Sequence, residues 1–161
     1  MRILIWTPER IERSLARLAC EVDERNRGTD DLVLFGIEPN GIVVAHALAR
    51  HISRIAGREF QTIPLDVKSA DAEKSQPEVT VTGKHVVLVD DVLYTGRTAR
   101  SALDAISRLG SPASIQLVVL IDRGHRQMPL QPDYVGRRLQ TKYRERVDVD
   151  VNRDLAVYLV E

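Results

Sequence analysis

Apolar residues in the first part of the chain recur at two different periods, which predict a helix, a strand and a second helix. The dipeptide Thr7-Pro8 precedes apolar residues at helical spacing, so we predict that a helix begins there, with the Thr7 hydroxyl as its N-cap. Gly28 predicts the end of this helix. The continuous apolar run at 32–37 has the length of a buried strand, and residues 42–55 return to the helical period.

The second half of the chain continues the alternation of strands and helices. Apolar runs predict strands at 60–67, 85–89 and 115–121, and helical spacing predicts a helix at 98–109. Residues 147–160 hold valines that alternate with aspartates, a polar turn and a second apolar run, which is typical of an antiparallel hairpin with one face in water. We therefore predict an α/β fold with a mostly parallel central sheet, flanking helices and a small antiparallel piece.

Residues 68–83 interrupt this alternation. The segment is polar, contains a proline and shows no hydrophobic period. Segments of this length without structure of their own are usually functional lids or disordered, and the sequence leaves both open. With 161 residues and no internal repeat, the chain is predicted to form a single domain over residues 1–161.

Composition narrows the functional classes. Apolar residues make up 43% of the chain, charged residues make up 29%, and the formal net charge is zero, so nucleic-acid binding would require a local basic face. The one cysteine, Cys20, excludes an internal disulfide, and we interpret it as a packing thiol on the first helix. No stretch has the length and apolarity of a signal peptide or a membrane span, so we expect a cytoplasmic protein without membrane contact.

The segment at 86–98, V-V-L-V-D-D-V-L-Y-T-G-R-T, carries the strongest chemical signal. An apolar strand leads into two carboxylates and a glycine-containing turn, and the first amides of the helix that follows can hold an anion. Asp90 and Asp91 repel phosphate, and acids at a strand end instead suit sugar hydroxyls or a hydrated magnesium ion. The residues predicted to hold the phosphate and the ribose are Val92, Leu93, Tyr94, Thr95, Gly96, Arg97 and Thr98.

Two segments resemble the type I phosphoribosyltransferases, the enzymes that use 5-phosphoribosyl 1-pyrophosphate (PRPP). Residues 86–98 resemble their signature. Residues 114–136, S-I-Q-L-V-V-L-I-D-R-G-H-R-Q-M-P-L-Q-P-D-Y-V-G, resemble the PyrR branch, whose members regulate pyrimidine genes by transcription attenuation and have uracil phosphoribosyltransferase activity. The resemblance implies a type I phosphoribosyltransferase fold with a flexible lid at about 68–83, a hood at about 123–146 and assembly as a homo-oligomer.

The implied reaction joins uracil to PRPP and yields UMP and pyrophosphate. Asp90 and Asp91 are then the implied catalytic residues. Mg²⁺ arrives with PRPP and keeps several waters, so we predict no dedicated protein ligands for the metal. The resemblance places the base and the hood beside a charged cluster. For His125 in this cluster, the alternative interpretation is an ordinary surface histidine without ligand contact. The members of this cluster are Asp122, Arg123, His125 and Arg126.

The acid pair has an alternative interpretation. Apolar strands that end in two aspartates also occur in other doubly wound folds, where the acids bind a metal or cap the next helix. The T-G-R-T turn and the D-R-G-H-R segment at 122–126 make a phosphoribosyl site the favoured interpretation.

The chain departs from the resembling family on the pyrophosphate side of the site. The loop after the strand at 32–37 usually carries lysine, threonine and arginine in PyrR proteins, but here it consists of Glu38, Pro39, Asn40 and Gly41. A glutamate repels pyrophosphate and the missing arginine removes a bidentate contact, although E-P-N-G also suits an ordinary turn. The lid lacks the family's tyrosine and arginine, and Lys68 and Lys74 are either substitute cations or solvated charges. We therefore expect UMP to bind better than PRPP, with weak or absent turnover.

PyrR proteins also bind messenger RNA through a basic face, for which the chain offers four candidate residues. These are Arg13 and Arg17 on the first helix, and Arg138 and Lys142 in a charged run at 133–146 that also suits a solvated surface.

Three functional hypotheses therefore stand. The first is a PyrR-like uracil phosphoribosyltransferase, the second is an RNA-binding regulator that responds to UMP, and the third is a catalytically impaired nucleotide sensor that acts through RNA or a protein partner. At two first-helix positions where PyrR proteins usually have threonine and histidine, this chain has Ala16 and Cys20, which argues against the same RNA specificity.

Overall fold

The computed structural model describes residues 1–28 and 30–161, which form two sheets. The central sheet has five parallel strands in the order β3-β2-β4-β5-β6, and the second sheet has three antiparallel strands in the order β1-β8-β7. In chain order the elements are β1 (Arg2–Trp6), α1 (Pro8–Asn26), β2 (Leu32–Ile37), α2 (Gly41–Ala56), β3 (Thr62–Leu65), β4 (His85–Leu93), α3 (Arg97–Leu109), β5 (Ser114–Asp122), β6 (Tyr134–Arg138), β7 (Arg146–Asp150) and β8 (Ala156–Val160). The predicted α/β fold with a small antiparallel sheet is confirmed.

Strand β4 lies in the middle of the central sheet because its side chains are apolar on both faces. Val87 and Val89 pack with helices α1 and α2 on one face, and Val86 and Leu88 pack with α3 on the other. A strand covered on both faces appears in the sequence as a continuous apolar run. This packing fixes the strand that carries the acid pair.

The strand register brings the carboxyl ends of the central strands to one edge of the sheet. Ile37 at the end of β2 pairs with Leu65 at the end of β3. Leu93 at the end of β4 pairs with Asp122 at the end of β5. The loops that follow these strands are therefore neighbours, as expected for a ligand site in an open parallel sheet.

Two strands, β1 and β6, are not among the predicted ones, although residues 3–6 of β1 form a short apolar run. β1 pairs with β8, so the antiparallel piece has three strands rather than the two of a hairpin. β6 lies in the segment at 123–146 predicted as the hood, yet it pairs in parallel with β5 as an edge strand of the central sheet. The small antiparallel sheet consists of β1, β8 and β7, and the hood at about 123–146 stays a prediction.

The predicted bounds of helix α1 are confirmed, but two predicted side-chain roles on it are wrong. It begins at Pro8 and ends two residues before Gly28. Thr7 occupies the N-cap position, but its side chain makes no capping hydrogen bond. The predicted cap is therefore wrong; the Thr7 hydroxyl is used by the carboxylate of Glu9, whose pKa is lowered first by a hydrogen bond from its own backbone and second by Thr7. Cys20 is exposed, so its interpretation as a packing thiol is also wrong.

The lid segment at 68–83 contains no helix or strand. The strand before it is shorter than the predicted 60–67 and covers only Thr62–Leu65. Near the end of the segment, Val81 is fully buried against the α3 side of the core and Val79 packs beside it. The segment is therefore anchored to the core near its C-terminal end. In the described part of the chain, no helix is long and apolar enough to cross a membrane.

Candidate active site at the carboxyl edge of the central sheet

The acid pair lies inside strand β4 rather than after it. β4 continues four residues past the predicted end at residue 89, because its pairing with β5 extends to Leu93 and Asp122. The backbone N–H of Asp91 donates to Asp90 Oδ1 over 2.8 Å, and the backbone N–H of Val92 donates to Asp91 Oδ1 over 2.7 Å. Both carboxylates are thus oriented by backbone hydrogen bonds.

The electrostatics of this pair favour a ligand that donates hydrogen bonds or carries positive charge. Burial raises the pKa of Asp90 well above its usual value, and the charge of Asp91 raises it further. Two neighbouring carboxylates with limited solvent repel one another. Sugar hydroxyls or a cation placed between them would relieve that repulsion.

The loop between β2 and α2 lies directly on the acid pair. Asn40 Nδ2 donates to Asp91 Oδ2 over 2.9 Å and lies 3.5 Å from the carbonyl oxygen of Val149 in β7. Gly41 packs so closely that a Cβ there would lie 2.5 Å from the carbonyl oxygen of Val89. The peptide bond between Glu38 and Pro39 is cis. The segment predicted as an altered pyrophosphate loop is therefore next to the acids, with an amide where the family usually has a cation.

The turn between β4 and α3 has the backbone shape that an anion-binding turn requires. Gly96 has a φ of 88°, and a Cβ there would lie 3.1 Å from the Met128 Cβ. The Thr95 carbonyl oxygen accepts hydrogen bonds from the backbone N–H groups of Gln127 and Met128 over 2.8 and 3.0 Å. Arg97 Nε donates to Gln127 Oε1 over 2.7 Å. The loop after β5 thus holds the turn in place at the start of α3.

Helix geometry leaves the first amides of α3 available to a ligand. The N–H groups of the first turn have no acceptor within their own helix, and the N–H of Arg97 is only weakly engaged by Thr95 Oγ1 at 3.3 Å. The amide of Thr98 follows on the same turn. Only residues 92–94 separate Asp91 from Thr95, the first residue of this turn. One ligand can therefore reach both the turn and the acid pair.

The charged cluster after β5 holds the strand ends together. The Arg126 guanidinium donates to Asp122 Oδ1 over 2.8 Å and to the Tyr94 carbonyl oxygen over 3.1 Å. Arg123 is buried, with its guanidinium carbon 3.8 Å from the centre of the Tyr94 ring. It also donates to Thr141 Oγ1 over 3.0 Å. The sequence places these residues at the correct edge, and the structure shows that much of their hydrogen-bonding capacity is used within the protein.

His125 is exposed but has fixed contacts. Its Nε2 donates to the Thr141 carbonyl oxygen over 2.8 Å, and its φ is 61°. The ring lies edge-on to Tyr94 at 5.9 Å and to Tyr143 at 6.2 Å. Tyr94, His125 and Tyr143 thus form an aromatic wall beside the acid pair's strand, a feature that the spacing of these residues along the chain does not reveal.

The four RNA candidates differ in their availability. Arg17 donates to the carbonyl oxygens of Val135 and Gly136 in the edge strand β6, each over 2.9 Å, and pairs with Glu21. Arg13 is exposed on α1. Lys142 pairs with an acid three residues later at 3.7 Å, and Arg138 lies 4.0 Å from Asp122 Oδ2. Arg17 therefore has a structural role in covering β6.

The residues of the site fit a magnesium ion that arrives with a substrate. In residues 1–28 and 30–161, no group of three or more histidine, cysteine, aspartate or glutamate residues is arranged to hold a metal. Asp90 and Asp91 supply two carboxylates whose mutual repulsion a cation would relieve. Mg²⁺ is commonly bound by one or two carboxylates together with substrate phosphates.

A parallel sheet with an acid pair in its middle strand, followed by a glycine turn at a helix start, is the arrangement expected of a phosphoribosyltransferase. Comparison with protein families agrees, since the phosphoribosyl transferase domain matches residues 7–153. The chain is also similar to the bifunctional protein PyrR of Bacillus mycoides and of Bacillus anthracis. Each is 42% identical over 163 residues, covering 93% of this chain and 91% of the relative. The chain belongs to the PyrR family of type I phosphoribosyltransferases.

Solved structures support the fold alone. The hypoxanthine phosphoribosyltransferase of Trypanosoma cruzi has a TM-score of 0.81 at 22% identity, covering 98% of this chain and 95% of that one. The HGPRT-ase of Leishmania tarentolae in complex with GMP has a TM-score of 0.79 at 18% identity, covering 99% and 97%. The predicted type I phosphoribosyltransferase fold is confirmed.

Proposed function

We propose that the chain is a PyrR-like uracil phosphoribosyltransferase that makes UMP and pyrophosphate from uracil and PRPP, and that UMP bound at the same site makes it a regulator of pyrimidine genes. The observation that carries this proposal is the placement of Asp90 and Asp91 in β4 just before the Gly96 turn. A nucleotide's 5′-phosphate on the turn would put its ribose beside the acids. The match of the phosphoribosyl transferase domain and the similarity to the bifunctional PyrR proteins of Bacillus support this proposal.

The acid pair would act on the developing charge of the sugar. Breaking the anomeric bond builds positive charge on the ribose ring, so carboxylates fixed below the ring stabilise the transition state more than the ground state. Asp90 and Asp91 are held for this by backbone hydrogen bonds. The phosphate turn anchors the substrate, and its binding energy positions the reacting carbon. Magnesium bound with PRPP would neutralise part of the pyrophosphate charge beside Asp90 and Asp91.

The donor side is the weaker half of the site. Glu38 replaces a cation in the loop after β2, and the Asn40 amide is engaged with Asp91. Neither residue offers the bidentate contact that an arginine gives to phosphate. We therefore propose that UMP binds more tightly than PRPP and that turnover is slow.

A direct test measures binding and turnover separately. Calorimetry with UMP, GMP and PRPP, with and without magnesium, is expected to give the lowest Kd for UMP. A spectrophotometric assay is expected to show slow formation of UMP from uracil and PRPP. Rapid turnover would contradict the weakened donor side, and failure of UMP to bind would contradict the site itself.

A regulatory role through RNA has narrower support. The phosphate turn is retained, whereas the pyrophosphate loop at 38–41 is altered. This combination favours a nucleotide sensor that acts through RNA or a protein partner. However, of the four candidate residues, Arg17 is hydrogen-bonded to the backbone of β6. Arg13, Arg138 and Lys142 remain as exposed cations. We expect filter binding to pyrimidine leader RNA to be weak and to fall steeply between low and high salt, as phosphate contacts require. A flat salt response would exclude phosphate-dominated binding.

A further inference from the structure

We propose that Arg126 is a positioning residue for the phosphate turn, the segment at 94–98 between β4 and α3. By holding the back of this turn, Arg126 aims backbone N–H groups of the turn at the phosphate of a nucleotide without touching the ligand itself. This inference rests on the proposed function, since it assigns a role to a residue beside the same site. Its support comes from the partners of the turn's carbonyl groups and from the fixed position of the Arg126 side chain.

The carbonyl groups of the turn are bound by the loop that follows β5. The Tyr94 carbonyl oxygen accepts a hydrogen bond from Arg126 Nη1 over 3.1 Å. The Thr95 carbonyl oxygen accepts hydrogen bonds from the backbone N–H groups of Gln127 and Met128 over 2.8 and 3.0 Å. Both carbonyl groups therefore point toward this loop.

The planar peptide bond converts the direction of these carbonyl groups into the direction of two N–H groups. In a trans peptide, the C=O of one residue and the N–H of the next point in opposite directions within one plane. The N–H of Thr95 shares its plane with the Tyr94 carbonyl group, and the N–H of Gly96 shares its plane with that of Thr95. Among the residues that the structure describes, neither N–H has a hydrogen-bond acceptor. These two donors therefore face away from the loop after β5 and are available to an anion.

The Arg126 side chain is fixed by three acceptors in a largely buried position. Besides the Tyr94 carbonyl oxygen, its Nη2 donates to Asp122 Oδ1 over 2.8 Å and its Nε donates to the Leu130 carbonyl oxygen over 2.9 Å. Only 16% of the Arg126 side chain and 9% of the Asp122 side chain are exposed, so water competes little with these contacts. The planar guanidinium holds its donors in fixed directions, which a lysine cannot do.

Asp122 connects Arg126 to the central sheet. Asp122 is the last residue of β5 and pairs with Leu93 at the end of β4. The backbone N–H of Gly124 donates to Asp122 Oδ1 over 3.1 Å, which orients the carboxylate toward the loop. The contacts therefore run from the end of β5 through Arg126 to the phosphate turn. A turn that is held in its binding shape before the ligand arrives gains affinity, because less ordering is required on binding.

Arg17 provides a matched control elsewhere in the molecule. Its guanidinium also donates to two backbone carbonyl oxygens, those of Val135 and Gly136, each over 2.9 Å. It also pairs with one carboxylate, that of Glu21, at 2.7 Å. These contacts hold the edge strand β6 and not the phosphate turn. Loss of the Arg17 guanidinium is therefore expected to affect stability but not the affinity for phosphate.

The test compares the binding of UMP and of uridine, which lacks the phosphate, to Arg126→Met, Arg126→Lys and Arg17→Met. We expect Arg126→Met to raise the Kd for UMP about tenfold in calorimetry, the usual size of a lost charge-assisted contact. The Kd for uridine, measured by NMR titration, should stay the same because uridine brings no phosphate to the turn. Arg126→Lys should recover part of the UMP affinity, and Arg17→Met should bind both ligands like the unmodified chain.

The amide resonances of Thr95 and Gly96 give a readout that a merely structural role of Arg126 would not change. In the unmodified chain, UMP is expected to shift both amide protons downfield, since each N–H donates to a phosphate oxygen. At saturating UMP, this shift should be smaller in Arg126→Met and unchanged in Arg17→Met. A purely structural role would lower the Tm without altering the shifts or the ratio of the two Kd values.

The outcomes separate this inference from the proposed function. An unchanged Kd for UMP in Arg126→Met, or an equal loss of affinity for UMP and uridine, overturns the positioning role and leaves the site in place. Failure of the unmodified chain to bind UMP instead overturns the proposed function. A circular dichroism melt shows whether Arg126→Met is folded. If it is not, Arg126→Lys provides the comparison, and a UMP affinity equal to that of the unmodified chain then overturns the role of Arg126.

Discussion

Asp90→Asn is expected to lower the rate of UMP formation by about 100-fold or more and, at neutral pH, to raise the melting temperature Tm. Loss of a carboxylate removes charge stabilisation that is strongest in the transition state. Asparagine keeps an oxygen to accept the backbone N–H of Asp91, which Asp90 Oδ1 accepts over 2.8 Å. The substitution also removes a negative charge that is unfavourable at this position, since burial and the charge of Asp91 raise the pKa of Asp90.

The pH dependence of stability gives this prediction a second readout. A carboxyl group whose pKa is raised by folding binds its proton more tightly in the folded protein than in the unfolded chain. The stability from that proton is greatest at low pH and is lost as the pH rises through the raised pKa. Asp90→Asn cannot lose it, so its Tm should exceed that of the unmodified protein most at neutral pH and least near about pH 4.

Thermal melts across this pH range and a steady-state assay provide the measurements. Asp104→Asn is the matched control, because Asp104 is an exposed acid on α3 that pairs with Arg100 at 3.5 Å. It should change neither the activity nor the pH profile. Retention of most of the activity in Asp90→Asn, or a lower Tm at neutral pH, would contradict the assigned role of Asp90.

Gly96→Ala is expected to weaken UMP binding by about 100-fold, since several charge-assisted contacts to one phosphate depend on the shape of the turn. The residue has a φ of 88°, which a side chain adopts only at a cost. The new Cβ would also lie 3.1 Å from the Met128 Cβ in the loop that holds the turn. Either the turn or that loop must move.

Gly83→Ala separates backbone strain from loss of the site. Gly83 has a φ of 74°, but nothing lies within 4 Å of a Cβ there. Both variants should lose about 1 kcal/mol of stability in urea denaturation, while only Gly96→Ala should lose UMP affinity in calorimetry. Equal UMP affinity in the two variants would show that the turn does not hold the phosphate.

The parts of the fold that the sequence predicts are those with local signals. β2, β4 and β5 are buried on both faces, so each contains a continuous apolar run, at 32–37, 86–89 and 117–121, and α1 and α2 have strong helical periods. β1 has only five residues, and its partner β8 lies at the other end of the chain. β6 does not appear as an apolar run because it ends in Arg137 and Arg138. An edge strand tolerates such charged residues, since one side of it faces solvent. Pairings of this kind depend on distant partners that no local pattern shows.

The candidate site divides in a similar way. Asp90, Asp91 and Gly96 follow from the order strand, acids, turn and helix, which is continuous in the chain. The contact of Asn40 with Asp91 joins residues 51 positions apart, and the stacking of Arg123 on Tyr94 depends on side-chain orientation. Spacing along the chain places such residues at the correct edge of the sheet. It does not say which of them touch.

The amide of Asn40 gives the site a built-in link between its interior and its outer sheet. An amide nitrogen has two hydrogens, and here they face Asp91 Oδ2 at 2.9 Å and the carbonyl oxygen of Val149 at 3.5 Å. A ligand that draws Asn40 toward itself must release at least one of these acceptors. Filling the loop at 38–41 would then interrupt the hydrogen-bonded connection by which this side chain ties Asp91 to strand β7.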